Sequence, residues 1–172
     1  HLQRVKYIVP KDRVEQLQKL PIWIELDGQL SNMQYHPDRG WLIANKHNPK
    51  LAKHVHIPHA KALYNPSTWA KHPYVVLHEL AHAYHDQVLD FDHAEVKAAY
   101  ENMKEKKLYE EVLLFTGKKV RHYALTNHKE YFAESTEAYL GVNDFYPFVR
   151  AELREHDPQM FEVLEKIWGP IK

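Results

Sequence analysis

Apolar residues at Val76, Leu77, Leu80, Ala81, Tyr84 and Val88 follow an i, i+3, i+4 rhythm. That rhythm predicts a helix over residues 73–89, with Pro73 suited to its first turn. Similar patterning predicts helices over 93–107, 127–140, 147–155 and 158–168, with Gly141 stopping the second of these. Between them, 110–123 reads as a β-hairpin turning at Thr116-Gly117-Lys118. Ahead of residue 65 the pattern is shorter-ranged: a strand over 4–9, a helix over 11–20, and a strand over 22–26 ending at Asp27-Gly28. Residues 33–36 are expected to pair back. The alternation over 53–57, followed by Pro58, predicts a half-buried strand at a sheet edge, where an extended peptide can add. The reading is α+β in one domain, a β-containing lobe over 1–65 and a helical lobe over 66–172.

The chain has 172 residues, 44% hydrophobic and 27% charged, which suits one folded domain with its own core. Lys+Arg and Asp+Glu are 23 each, without a run of one sign to grip a polyanion, so no nucleic-acid partner is expected. No apolar run approaches the roughly 20 residues that cross a bilayer, so no membrane insertion is expected. A start at His1 and not Met leaves the compartment open, with a secreted or extracytoplasmic place the one favoured. Cysteine is absent, which removes thiolate metal ligands, disulfides and a Cys nucleophile together, so any metal must sit on His, Asp or Glu. The 14 histidines point toward such a metal.

The chemistry concentrates on the 73–89 helix, which carries His78-Glu79-Leu80-Ala81-His82, the H-E-x-x-H pattern. Two imidazoles one turn apart, about 40° around the axis, converge on one zinc ion, and Glu79 stands where it can act on a water there. Two solvated or core histidines are the bland alternative. His85 lies about 10 Å further along the axis than His78 and cannot join the pair easily; it reads as a residue supporting the ligands from behind, a pocket residue or a surface residue, and Asp86 as an exposed helix carboxylate. Gly is missing at position 85 and His at position 88, which excludes the metzincin pattern.

A third ligand is required. The 127–140 helix offers Glu130, Glu134 and Glu137 on one face, among Tyr131, Phe132, Ala133, Ala138, Tyr139 and Leu140. A solvated stripe is the alternative, but three crowded carboxylates repel unless a cation answers them. Glu130 as ligand, with Glu134 one turn on accepting the free N–H of a ligand histidine, fits; exchange of those two roles stays open.

These residues resemble the gluzincin metallopeptidases, and more closely the anthrax lethal factor-like group that includes Pro-Pro endopeptidases. The resemblance covers residues 73–140: H-E-x-x-H followed by Tyr123, six residues, Glu130, three residues and Glu134. It implies a zincin-like fold, Zn²⁺ on His78, His82 and Glu130, Glu79 as general base, Tyr123 as a phenol beside the reacting carbonyl, and Glu134 behind the ligands. The implied activity is zinc-dependent hydrolysis of a peptide or protein substrate. The first 65 residues carry no part of the resemblance.

Two other readings of the same residues are a zincin-like zinc-binding module without protease activity and a zinc amidase on modified or cell-wall peptides. In the second, Trp23, Trp41 and Trp69 would supply a platform, although core packing is the commoner use of each. Phe148, Phe161 and Trp168 read as core. A metal-free interaction module is the remaining alternative.

Overall fold

Three short strands, β1 (Ile22–Ile24), β2 (Gln34–Tyr35) and β3 (Val55–Ile57), form a sheet in the order β1-β3-β2. The computed structural model describes residues 2–171. β3 runs parallel to β1, with Trp23 opposite His56, and antiparallel to β2, with Tyr35 opposite Val55. The strand expected at an edge is therefore the central one, and residues 33–36 pair with it and not with β1. All three of its residues are buried: Val55 and Ile57 join the core, while His56, on the opposite pleat, meets His36. Pro58 does not conflict with this place, because it follows the strand and uses only its carbonyl, which accepts from Gly28 N at 2.7 Å.

The strand expected over 4–9 is instead the helix α1 (Leu2–Ile8). Val5 and Ile8 are its buried residues, and with the buried Val9 just past its end they make an i, i+3, i+4 set that the β-branched composition disguises. α2 (Lys11–Leu17) follows, and α3 (Arg39–Ala44) starts at an Asp38 cap.

The larger helical region begins with α4 (Pro66–Lys71) and α5 (Val75–Tyr84); a π-helical turn over His85–Leu89 extends α5. α6 (Ala94–Glu105) leads to the hairpin β4 (Val112–Leu113) and β5 (Lys119–Val120), then to α7 (His128–Leu140), α8 (Arg150–His156) and α9 (Pro158–Trp168). The whole is an α+β fold with a small β-containing N-terminal region and a larger helical C-terminal one. Among the described residues no helix is long and apolar enough to cross a membrane.

α7 is the element on which the rest is arranged. Asn127 caps it by accepting from Lys129 N and Glu130 N, and every residue from Tyr131 to Leu140 is buried. From Tyr131 on the helix has no solvated face, so Glu134 and Glu137 lie inside the protein. At its end a Cβ on Gly141 would fall 2.4 Å from the Tyr74 ring, and this close approach ties the end of α7 to the start of α5. Trp168 of α9, fully buried, packs on Tyr84 of α5 at 4.5 Å and on Phe132 of α7 at 6.2 Å between ring centroids. Phe161 is buried with it, whereas Phe148 is only partly covered.

Candidate metal centre

α5 and α7 lie side by side, and their polar residues meet at one point. His78 Nε2, His82 Nε2 and Glu130 Oε2 form a triangle with each edge 3.1 Å long. Donors held about 2.0–2.1 Å from a tetrahedral zinc ion lie about 3.3 Å apart, so these three fit a single ion and leave one corner open. The two rings stand nearly perpendicular, 78° apart, and so present edges and not faces to the common point.

The other side of His78 fixes its tautomer. Nδ1 lies 2.7 Å from Glu137 Oε1 and 3.5 Å from Glu134 Oε1. With Nδ1–H donated to Glu137, the Nε2 lone pair faces Glu130 and His82. Three lone pairs meeting in this way repel unless a cation sits among them. The sequence reading gives the N–H-accepting role to Glu134; the nearer carboxylate is Glu137, the third member of the same helical stripe. Its spacing of seven from Glu130 puts it on the right face, but only the packing of α7 on α5 decides which glutamate reaches Nδ1.

The electrostatics ask for positive charge at the same point. Burial pushes His78 down, yet Glu130 and Glu137, and then Glu134, outweigh it and hold the ring well above the ordinary imidazole range. Glu130 is raised by burial, but its hydrogen bonds to His78 and His82 hold it far below the usual carboxylate range. Burial raises Glu134 well above its ordinary value and Glu137 above its own. A divalent cation at the triangle answers this crowding of carboxylates as a proton on His78 would, with twice the charge. His78, Glu134 and Glu137 form a second grouping of possible metal donors; the short Nδ1 contact marks it as the hydrogen-bonded support of the first.

Glu79 points into the same space and is buried. Its Oε2 accepts from Tyr35 N of β2 at 2.7 Å. Burial raises its pKa, and its histidine neighbours on α5 only partly reverse this, which makes it a stronger base than an exposed glutamate. Tyr35 is itself anchored, its hydroxyl donating to Asp86 Oδ2 at 2.5 Å, and Lys53 Nζ pairs with that same oxygen at 2.6 Å. Asp86 is thus no free surface carboxylate: it ties the sheet to the π-helical turn. Neither Tyr35 nor Asp86 carries a local sequence signal for this, because the contact joins residues 51 positions apart.

The paired imidazoles, the four glutamates and Tyr35 open on a cleft of about 1000 Å³, walled on one side by residues 31–35 of the sheet edge and on the other by Tyr123, Leu114 and Phe115. Tyr123 is half exposed, and burial, then the charge of Glu130, raises its phenol, so it stays a proton donor at neutral pH.

Other expectations fall away from the cleft. His85 is fully buried, at 0% exposure, against Phe91 and Phe132, and is neither a pocket nor a surface residue. Trp23, Trp41 and Trp69 do not line the cleft: Trp41 stacks over His36, and the other two indoles donate to Glu25 and to the Leu63 carbonyl. The tryptophan platform is not formed there.

Fold and site together define an α+β protein with buried His/Glu clusters able to hold a metal ion. Comparison with protein-family models, curated proteins and solved structures gives no match for this chain.

Proposed function

We propose that this chain is a zinc-dependent hydrolase of peptide bonds, of the gluzincin kind its motifs resemble. The observation that carries the reading is the 3.1 Å triangle of His78 Nε2, His82 Nε2 and Glu130 Oε2 with Glu79 beside it. His78, His82 and Glu130 would hold the ion; bound there, zinc supplies Lewis acidity toward a carbonyl and lowers the pKa of water. Glu79, raised by burial, takes the proton of the attacking water and passes it to the leaving amine. Tyr123 donates a hydrogen bond to the oxygen on which negative charge develops. Glu137 keeps His78 in the tautomer that binds.

A peptide suits the cleft because its volume is about 1000 Å³ and β2, an edge strand of the sheet, lines it. The test is a digest of a mixed peptide library, cell-wall peptides included, by zinc-loaded protein with and without chelator, beside Glu79→Gln. Chelator-sensitive cleavage that disappears in Glu79→Gln, with zinc retained, is the expected result. Cleavage undiminished in Glu79→Gln overturns the assigned base.

One observation favours a second reading, a zincin-like metal-binding module without turnover. The Tyr35 N–H holds Glu79 Oε2 at 2.7 Å, and a base kept on that bond is less free to serve a water. Stoichiometric zinc with no cleavage of any library member decides for the module.

A further inference from the structure

The charges lining the cleft are sorted by depth. Five carboxylates line it, and all belong to its floor: Glu79, Glu130, Glu134 and Glu137 surround the paired imidazoles, and Asp144 pairs with His72 at 3.3 Å. The lysines that line it, Lys71 and Lys129, belong to its ends. Lys71 is the last residue of α4, just before α5 begins. Lys129 lies over the ring of Phe91, 4.0 Å from its centroid, beyond the π-helical turn that continues α5. Among the described residues neither ammonium has a carboxylate partner. The cleft therefore carries one unanswered positive charge at each end of the helix that bears the metal-facing residues.

We propose that the cleft selects extended peptides with an acidic side chain on each side of the central residue pair, Lys71 receiving one and Lys129 the other. This deepens the hydrolase reading and rests on it for the direction of the peptide along α5. α5 and the π-helical turn that continues it cover residues 75–89 and span about 20 Å, which an extended chain covers in about six residues. The two acidic positions accordingly fall two or three residues to either side of the centre. The floor carboxylates are engaged below the peptide: Glu130 would hold the cation, Glu137 takes the His78 Nδ1–H, and Asp144 pairs with His72. Rim charges act mainly through encounter and orientation, so the preference must weaken with salt.

The experiment reads binding as well as cleavage, which keeps it separate from the question of turnover. Fluorescent octapeptides with Glu at both outer positions, at one, or replaced by Gln at both are titrated against zinc-loaded Glu79→Gln protein. The doubly acidic peptide is expected to bind about 10-fold more tightly than its Gln counterpart in low salt, and the ratio to shrink toward one as salt rises. In Lys71→Glu the Glu-over-Gln preference is expected to reverse at one outer position only, and in Lys129→Glu at the other. Because each readout is a ratio on a single protein, a loss of overall affinity in a variant does not imitate the result. Equal binding of the Glu and Gln peptides by the parent, or the same positional effect from both lysine variants, overturns the proposal. A preserved acidic preference with no cleavage by the wild-type chain instead removes the hydrolase reading and leaves the cleft's selectivity standing.

Discussion

His78 and His82 in the α5–α7 pair can be set against His36, His56, His85 and His122 elsewhere in the core. All six but His82, which is partly covered, are buried, and all but His122 have another histidine ring or ring nitrogen close by. What differs is how closely carboxylates approach: His56 Nε2 stays 3.6 Å from Glu25 and His122 Nδ1 3.9 Å from Glu134. His78 touches Glu130 and Glu137 and is held well above the ordinary imidazole range. His36 lies 3.2 Å from His56, away from any acid, and burial followed by the neighbouring rings lowers it to about 4. His85 and His122 are lowered to about 3, both mainly by burial. An excess of histidine is therefore not in itself a metal signal; histidine in contact with buried carboxylates is. The remaining buried imidazoles serve as neutral, flat packing units, as where His122 stacks on Phe145 at 4.7 Å.

The largest test removes the distinguishing feature itself. His78→Ala or Glu130→Ala takes one corner from the triangle and is expected to weaken zinc binding by more than about 100-fold, beyond the loss typical of outer partners. His56→Asn, applied to the other group, is expected to leave zinc affinity unchanged. Competition titration with a chromophoric chelator measures all three. Tight binding retained in Glu130→Ala would move the third corner to another carboxylate.

A smaller effect sharpens the comparison within α7. Glu137→Ala removes the acceptor nearest His78 Nδ1 and is expected to weaken zinc about 10- to 100-fold, whereas Glu134→Ala, at 3.5 Å, should cost less. The reverse ranking, by the same titration, would return the tautomer-fixing role to Glu134.

The legibility of the chain follows this same division between local and distant causes. The helix over 127–140 was readable because its determinants are local: Asn127 as cap, Gly141 as stop and a dense apolar set between them. The hairpin around Gly117 and the helix bearing His78 were readable for like reasons. α1 was not, since the β-branched Val5, Ile8 and Val9 suggest a strand to a composition-based reading while their spacing is helical. The place of β3 was hidden because its parallel partner lies about thirty residues away, and a parallel pairing leaves no turn to read. Within the site, the stripe Glu130, Glu134 and Glu137 was visible, but the choice between two glutamates less than one turn apart depends on about an ångström of helix packing. Tyr35 and Asp86 gave no sequence signal, because their partners come from the other lobe.

The spacing of the helices is open to a test of its own. Gly141→Ala places a methyl 2.4–2.7 Å from the Tyr74 ring, which must shift and take the start of α5 with it. A loss of about 1–3 kcal/mol in unfolding free energy is expected from such overpacking. Denaturant melts measure it, and zinc titration of the same variant shows whether the triangle tolerates the shift. An unchanged midpoint would mean that the α5–α7 contact at this end is loose.

The smallest expected effect separates the two groups of histidines by the sign of their pH dependence. For His36, His85 and His122 the folded pKa lies below the unfolded value of about 6.5, so the unfolded chain binds more protons between the two. Their contribution is present above about pH 6.5 and is lost as pH falls toward 4 and then 3. His78 in the metal-stripped protein has the opposite sign: its folded pKa is raised, so its contribution is complete below pH 6.5 and is lost only as pH rises through that raised value. Neither ring nitrogen of His85 has a hydrogen-bond partner among the described residues, so Phe can replace it without leaving a polar group unpaired. His85→Phe is expected to flatten the acid limb of the melting temperature between pH 6.5 and 4 by a few degrees, with little change at pH 8. His78→Phe in metal-stripped protein should instead lower the melting temperature most at acid pH. Parallel acid limbs in the two variants, measured by thermal melts across that range, would show that the carboxylates around His78 do not set it apart.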